Sequence, residues 1–497
     1  MTKKRKKIVF GILAFLFIIT AVGAVFYSLG WRFNWDSKKL IQPGMFYFKS
    51  LPKSCEATIT PTDNSGNTTG NAITKKTDFL SGSVMFENLN PQKYKIQIKK
   101  DGYIAWEKTL EIKEKEATEA KNICLIPENP IFTTISGSTE EFYFSPDNKK
   151  IIMKEIEINN NPSAKQSWSL KLFEPEKNIK SSLIKESDIS ISGAELNSVI
   201  FSPDSKKILI KTIARENQEY YLLDLDKNPV NLTLLDFIDS GVDKIYFNPG
   251  DPQKLLILSA SSEESGTDKK IISQADLTNN KLSSPLIKNI ITCQPSKSTI
   301  YCLNVQGFLI KSGFNFEKID KMNLIPYPID QNKIYSILTN SEKIILWEEN
   351  IPYLLDDKTQ SFQKISDSAE IAQFSLDGKK LAFSDGYEIK VLFLKKTDDK
   401  PGREVGDQIF IARYSEKIKD LFWYTDNYLI FNSGDKIKIA EIDNRDKINI
   451  IDLPANISID SGKTFSLKSP KIFWNQAQKK LYILSKNAFY ISEKLIP

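Results

Sequence analysis

The 497-residue chain contains no histidine. That absence removes Ser-His-Asp and Cys-His nucleophilic catalysis, the common zinc-ligand sets and pH switching by imidazole. Arginine is scarce as well: six of the 68 basic residues are arginines, so bidentate recognition of phosphate has little to draw on. There is no glycine-rich phosphate loop and no G-x-S-x-G elbow. Asp224 with Asp226, and Asp443 with Asp446, could pass for half of a calcium loop, but both lack its glycine and terminal acid. No catalytic, cofactor-binding or metal-binding residue is nominated, no cofactor is expected, and the chain is expected not to be an enzyme.

Charge is present in quantity but not in blocks. The net charge is +6, with lysines interspersed among 62 acidic residues, which reads as a solvated surface rather than a nucleic-acid footprint. The exception is the start, where Lys3, Lys4, Arg5, Lys6 and Lys7 precede a run from Ile8 to Trp31 without a charge. Such a run is long enough to cross a bilayer as a helix. The basic end is expected to stay cytoplasmic, with Tyr27, Trp31, Phe33 and Trp35 in the outer aromatic belt and everything after Arg32 exported. A cleaved signal peptide, with Val22-Gly-Ala24 as the cleavage tripeptide, is the competing reading. Against it, the apolar run continues through Phe26, Leu29 and Trp31.

Further along, one phrase recurs. Glu141-Phe-Tyr-Phe-Ser-Pro-Asp-Asn-Lys-Lys-Ile151 is restated as Ser198-Val-Ile-Phe-Ser-Pro-Asp-Ser-Lys-Lys-Ile208 and as Ile371-Ala-Gln-Phe-Ser-Leu-Asp-Gly-Lys-Lys-Leu381. Fainter copies begin near Lys244, Ile290, Leu324, Asp420 and Lys471. Each reads as an alternating apolar strand, a tight polar turn and a second apolar strand. Sheets repeated at this spacing bury their faces by radial stacking, which predicts a β-propeller over 128–497. Eight units are expected, or seven if the copy at Ile290 is not a blade. The turn phrase resembles the aromatic-Ser-Pro-Asp-Gly-Lys signature of TolB-like propellers. Only Phe374-Ser-Leu-Asp-Gly-Lys379 keeps the glycine, and only the first two copies keep Ser-Pro-Asp. The last unit ends close to the C-terminus, so Ile131-Phe-Thr-Thr-Ile135 is expected to lend it a strand and cover its edge.

Between the apolar run and the repeats, residues 32–44 read as a linker and 45–127 as a compact β-rich module. Ser83–Glu87, Tyr94–Lys99 and Trp106–Ile112 alternate in strand period, with Asp101-Gly102 as a hairpin turn. Lys113–Glu119 is expected at a hairpin tip and Asn122–Pro127 as the closing strand. Ser50-Leu-Pro52, Leu89-Asn-Pro-Gln-Lys-Tyr-Lys-Ile96 and Lys100-Asp-Gly-Tyr-Ile-Ala-Trp106 resemble a PEGA domain, a small extracellular β-sandwich. The chain departs from that pattern in having Pro52-Lys-Ser-Cys55 in place of Pro-Glu-Gly-Ala. Tyr103 and Trp106 are expected as core anchors.

Outside a membrane the four cysteines can oxidise. Cys55 and Cys124 bracket the small module, and Cys293 and Cys302 flank one turn, a grouping that suggests a disulfide within each domain. Four cysteines permit three pairings, and buried free thiols are the alternative. The stretches around Pro162, Ser261–Gly266 and Asp398–Gly402 read as exposed loops. The whole is thus all-β behind an N-terminal transmembrane helix. The expected role is membrane-anchored, extracytoplasmic binding or scaffolding in the cell envelope, with a protein or polysaccharide partner. An extracellular carbohydrate-active enzyme using acidic residues at the propeller channel is the alternative, and a sensor a third reading.

Overall fold

The computed structural model describes residues 3–34, 38–157, 167–215, 217–227, 230–239, 241–261, 269–340, 342–460 and 462–496. Trp35, Pro162 and Ser262–Gly266 lie outside the described residues. One helix, Lys3–Ser28, is long and apolar enough to cross a membrane and buries nothing against the protein. At about 1.5 Å per residue its 26 residues span about 39 Å. The helix begins inside the basic segment and ends at Gly30, whose φ of +85° suits a glycine stop. Arg32 then turns back, donating to the carbonyls of Tyr27 and Trp31 at 2.9 Å each and lying 3.7 Å over the Tyr27 ring. Gln42 donates to the Leu29 carbonyl at 3.2 Å, so the exit from the helix is tied to the module that follows.

That module has two sheets. In the first, Gly44–Leu51 runs antiparallel to Ser83–Leu89 and parallel to Ala117–Cys124. The second orders Ile73–Lys76, Glu56–Thr62, Lys93–Lys99 and Trp106–Glu111. Alternation puts Phe46, Phe48, Ile59, Ile96 and Ile98, all fully buried, on the facing sides of this sandwich. Gly44 has no room for a side chain: a Cβ would sit 2.4 Å from the Lys113 carbonyl oxygen. Of the charged run Lys113–Glu119, residues 113–116 form an exposed turn and Ala117 begins a strand held beside the first one, so the run is a turn and strand end.

From Thr139 onward the chain builds the propeller. Four-stranded antiparallel sheets span Thr139–Lys185, Glu195–Leu234, Tyr335–Lys364, Ile371–Arg413 and Leu421–Asp452. Between the second and third of these, Val242–Lys321 forms one continuous eight-stranded sheet. Its strand Ile287–Pro295 pairs at its start with Lys270–Asp276 and further along with Ile300–Asn304, which explains why the copy at Ile290 is faint in sequence. Last comes a six-stranded sheet in which Ile131–Ser136 lies between Ala488–Ser492 and Asn456–Ile459. The strand lent from the N-terminal side therefore sits where the open edge required it.

The recurring phrase proves to be turn construction. Ser145, Ser202 and Ser375 each donate to the aspartate two residues on, at 2.6 Å. Each also accepts from the backbone N–H of the lysine five residues on, at 2.8–2.9 Å. The residue after the aspartate takes the left-handed corner, with φ of +58° at Asn148, +59° at Ser205 and +65° at Gly378. The turns also hold one another: Lys150 donates to the Ser205 carbonyl at 2.9 Å, and Gln478 to the Asn148 carbonyl at 3.3 Å across the closure.

Candidate functional site: a sealed junction and an open face

In a four-stranded antiparallel blade, the turns joining strands one to two and three to four fall at one end of the sheet. The remaining connections fall at the other end. The Ser-x-Asp turns and the 443–447 and 394–407 loops therefore share one propeller face, and the sandwich docks on it. At the centre of this junction is Lys108, whose side chain has no exposure at all. Its ammonium lies 2.8 Å from Glu441 Oε1 and donates to the carbonyls of Asp443 (2.5 Å), Arg445 (2.8 Å) and Lys447 (2.8 Å). The other Glu441 oxygen accepts from the Trp106 indole at 2.8 Å, and Oε1 also accepts from the Asn449 N–H at 3.0 Å.

Around that centre, Asp446 accepts from the Thr109 N–H at 2.8 Å, and Arg445 donates to the Glu119 carbonyl at 2.8 Å. Asn449 donates to the Glu107 carbonyl at 3.1 Å, and the Cys124 N–H donates to the Tyr428 hydroxyl at 3.1 Å. Burial pushes the Glu441 carboxyl above its usual range, against the pull of Lys108. Burial works the same way on Asp443, but the Arg445 hydrogen bonds and the charges of Lys108 and Arg445 outweigh it and hold that carboxyl low. Asp443 and Asp446 thus serve the junction, and no metal-holding cluster of acids or cysteines occurs among the described residues.

Beside the junction lies a cleft of about 340 Å³ between the sandwich strand Ala117–Cys124 and the propeller, walled partly by the Asp398–Pro401 loop. Its charges are largely spent on each other: Lys380 pairs with Asp377 at 3.1 Å, Arg445 with Asp443 at 2.6 Å, and Arg403 donates to Asn444. The opposite face has a larger cavity, of about 470 Å³, under the start of strands Val242–Asn248, Lys270–Asp276 and Tyr335–Thr339. Lys244, Lys269, Lys270 and Lys333 line it with Asp243 and Asp330. Lys270 pairs with Asp243 at 2.9 Å and Lys333 with Glu348, and the Tyr335 hydroxyl accepts from the Asp330 N–H at 2.9 Å. Lysine outnumbers acid here, with Asn332, Gln331 and Thr292 between.

The four cysteines divide unevenly. Cys293 and Cys302 face each other on paired strands and are disulfide-bonded. Cys55 and Cys124 are free and buried, which corrects the expected bond within the small module. The reason is that they belong to different cores: Cys55 packs inside the sandwich, whereas Cys124 points into the propeller's closing blade. Burial raises both thiols, Cys124 to about 12. Lys108, Glu441 and the polar task of Trp106 were missed by sequence reasoning. A signal existed, since Trp106, Lys108 and Leu110 occupy the inward phase of one strand and only the lysine is charged.

No protein-family model matches the chain, and no curated protein is significantly similar to it in sequence. Solved structures of similar shape are β-propeller proteins. A prolyl endopeptidase aligns at TM-score 0.44 and 11% identity over 71% of this chain, which spans 55% of that protein. Hsv2 of Kluyveromyces lactis aligns at 0.39 and 12%, covering 64% of this chain and 98% of its own. An oligogalacturonate lyase in complex with manganese aligns at 0.39 and 11%, covering 74% and 91%. At such identity the likeness is one of fold. Two of these propeller proteins are an endopeptidase and a lyase by name, so the expectation that the chain is not an enzyme is withdrawn.

Proposed function

We propose that the chain is a membrane-anchored protein of the cell envelope, with residues 1–7 cytoplasmic and a PEGA-like sandwich and TolB-like propeller outside. The long continuous sheet counts as two blades in this reading, giving eight. The propeller's open face engages a polysaccharide or protein partner. The observation that carries the reading is the asymmetry of the two faces: the sandwich covers one through Lys108, and the other keeps a lysine-lined cavity. The apolar helix with its basic start supports the anchor and its direction. The Cys293–Cys302 bond supports an oxidising compartment.

The test is affinity capture of envelope material on the full chain in detergent, with protease accessibility on intact cells for orientation. Recovery of one defined polymer or protein is expected. Protection of the propeller in intact cells, with digestion after lysis, would sink the orientation. The carbohydrate-active alternative has its own support in Asp243 and Asp330 sharing a cavity with Tyr335. Turnover of a glycan panel, abolished by Asp330→Asn, is the outcome that favours it.

A further inference from the structure

We propose that the open face binds an acidic polysaccharide, a chain of carboxylate-bearing sugars, along a groove crossing the second sheet and the long sheet after it; this rests on the recognition role given above. A second cavity of about 280 Å³, between strands Glu195–Phe201 and Val242–Asn248, adjoins the larger one through the shared residues Asp243 and Lys244. Together they are lined by five lysines, counting Lys211, against two aspartates. Lys270 pairs with Asp243, Lys333 pairs with Glu348 and Lys269 has an interaction of its own, which leaves Lys244 and Lys211. Among the described residues Lys244, which is exposed, has no ion pair, and Lys211 has only the Tyr220 ring, 5.7 Å from its ammonium. The groove thus keeps uncompensated positive charge at two lysines of adjoining cavities, Lys244 and Lys211, which suits a polymer with charge at intervals.

Two further observations favour sugar over an acidic protein segment or a phosphate polymer. Thr292, 2% exposed, lines the larger cavity and its hydroxyl has no hydrogen-bond partner. A buried hydroxyl left without a partner is costly unless a ligand or water meets it. Asn197, Ser198, Gln331 and Asn332 add neutral donors and acceptors along the walls, as sugar hydroxyls require. No arginine lines either cavity, so the bidentate fork that favours phosphate is missing from a site otherwise rich in cations.

The experiment measures binding of polygalacturonate to the full chain in detergent by calorimetry. Its methyl ester, neutral dextran, polyphosphate and poly-glutamate serve as comparison ligands. Polygalacturonate is expected to bind at least about tenfold more tightly than the ester and the dextran, and to weaken as salt screens the lysines. Lys211→Gln with Lys244→Gln is expected to weaken it about tenfold with unchanged thermal unfolding, whereas Lys121→Gln beside the junction leaves it unchanged. Equal binding of acid and ester overturns the inference, as does tighter binding of poly-glutamate or polyphosphate. Undiminished binding by the double variant removes the groove but leaves the recognition role standing. Failure to bind any of these polymers, while envelope capture still recovers a partner, sinks this inference alone.

Discussion

Lys108 of the sandwich and Lys244 of the propeller carry the same charge and do opposite things. Lys108 is stripped of water and given four protein oxygens in exchange, so its charge is useful only as long as that cage is intact. Lys244 stands exposed without an ionic partner, and its charge is available to whatever approaches. The difference lies in what each lysine faces: a loop of backbone carbonyls from the adjoining domain, or the solvent-filled mouth of a cavity. One face is consequently committed to holding the sandwich, and the other keeps its lysine-lined cavity open. The sandwich is no loose spacer on this view but part of the propeller's rigid body.

The sharpest way to break that contrast is Lys108→Met. It leaves Glu441 buried without its cation and is expected to cost about 3–5 kcal/mol in denaturant unfolding. Adding Glu441→Leu should recover only part of the loss, because it removes the unpaired charge but leaves three carbonyls and the Trp106 and Asn449 N–H groups without partners. Lys244→Gln is expected to change stability by less than about 0.5 kcal/mol. Similar losses for the two lysines would end the distinction.

Removing the Cys293–Cys302 link by Cys293→Ser with Cys302→Ser should cost about 2–3 kcal/mol, from a short closed loop. Alkylation of the unfolded, unreduced chain should label two thiols, Cys55 and Cys124; labelling of four or none would contradict the pairing. Trp106→Phe keeps the ring but deletes a hydrogen bond to a buried carboxylate, for an expected loss of about 1.5–3 kcal/mol.

The smallest effect is in pH. Asp443 is held below its ordinary value of 3.8, so the folded state binds fewer protons there than the unfolded one. Its contribution is full above that value and fades as pH falls through the lowered pKa. Glu441 is raised above 4.5 and acts in reverse, its contribution declining as pH rises from 4.5 through the raised pKa. The stability gap between the wild type and Asp443→Asn should therefore narrow on acidification below about pH 4. A gap independent of pH would show that Asp443 gains nothing from Arg445 and Lys108.

The propeller was legible because its signal is local and repeated. Three clear Ser-x-Asp turns specify a hairpin wherever they occur, and the serine and aspartate do their work within five residues. The closing strand was legible for another reason: an edge without a partner has to be covered. The junction was not legible, since Lys108 finds its cage some 335 residues away and nothing local distinguishes it from a solvated strand lysine except phase. Cys124 failed in the same way, because sequence proximity cannot tell which of two adjoining cores a side chain enters.

The seam between Phe132 and Ser492 has a bearing on how the molecule is made. Translation delivers Ile131–Ser136 before any of the strands it will join in the last blade, and the ring stays unlatched until Ala488–Ser492 has emerged. Until then the early strand is an unpaired edge on a growing chain, open to improper neighbours or to a chaperone. Deletion of Ala488–Ser492 would thus damage the start of the disc as much as its end.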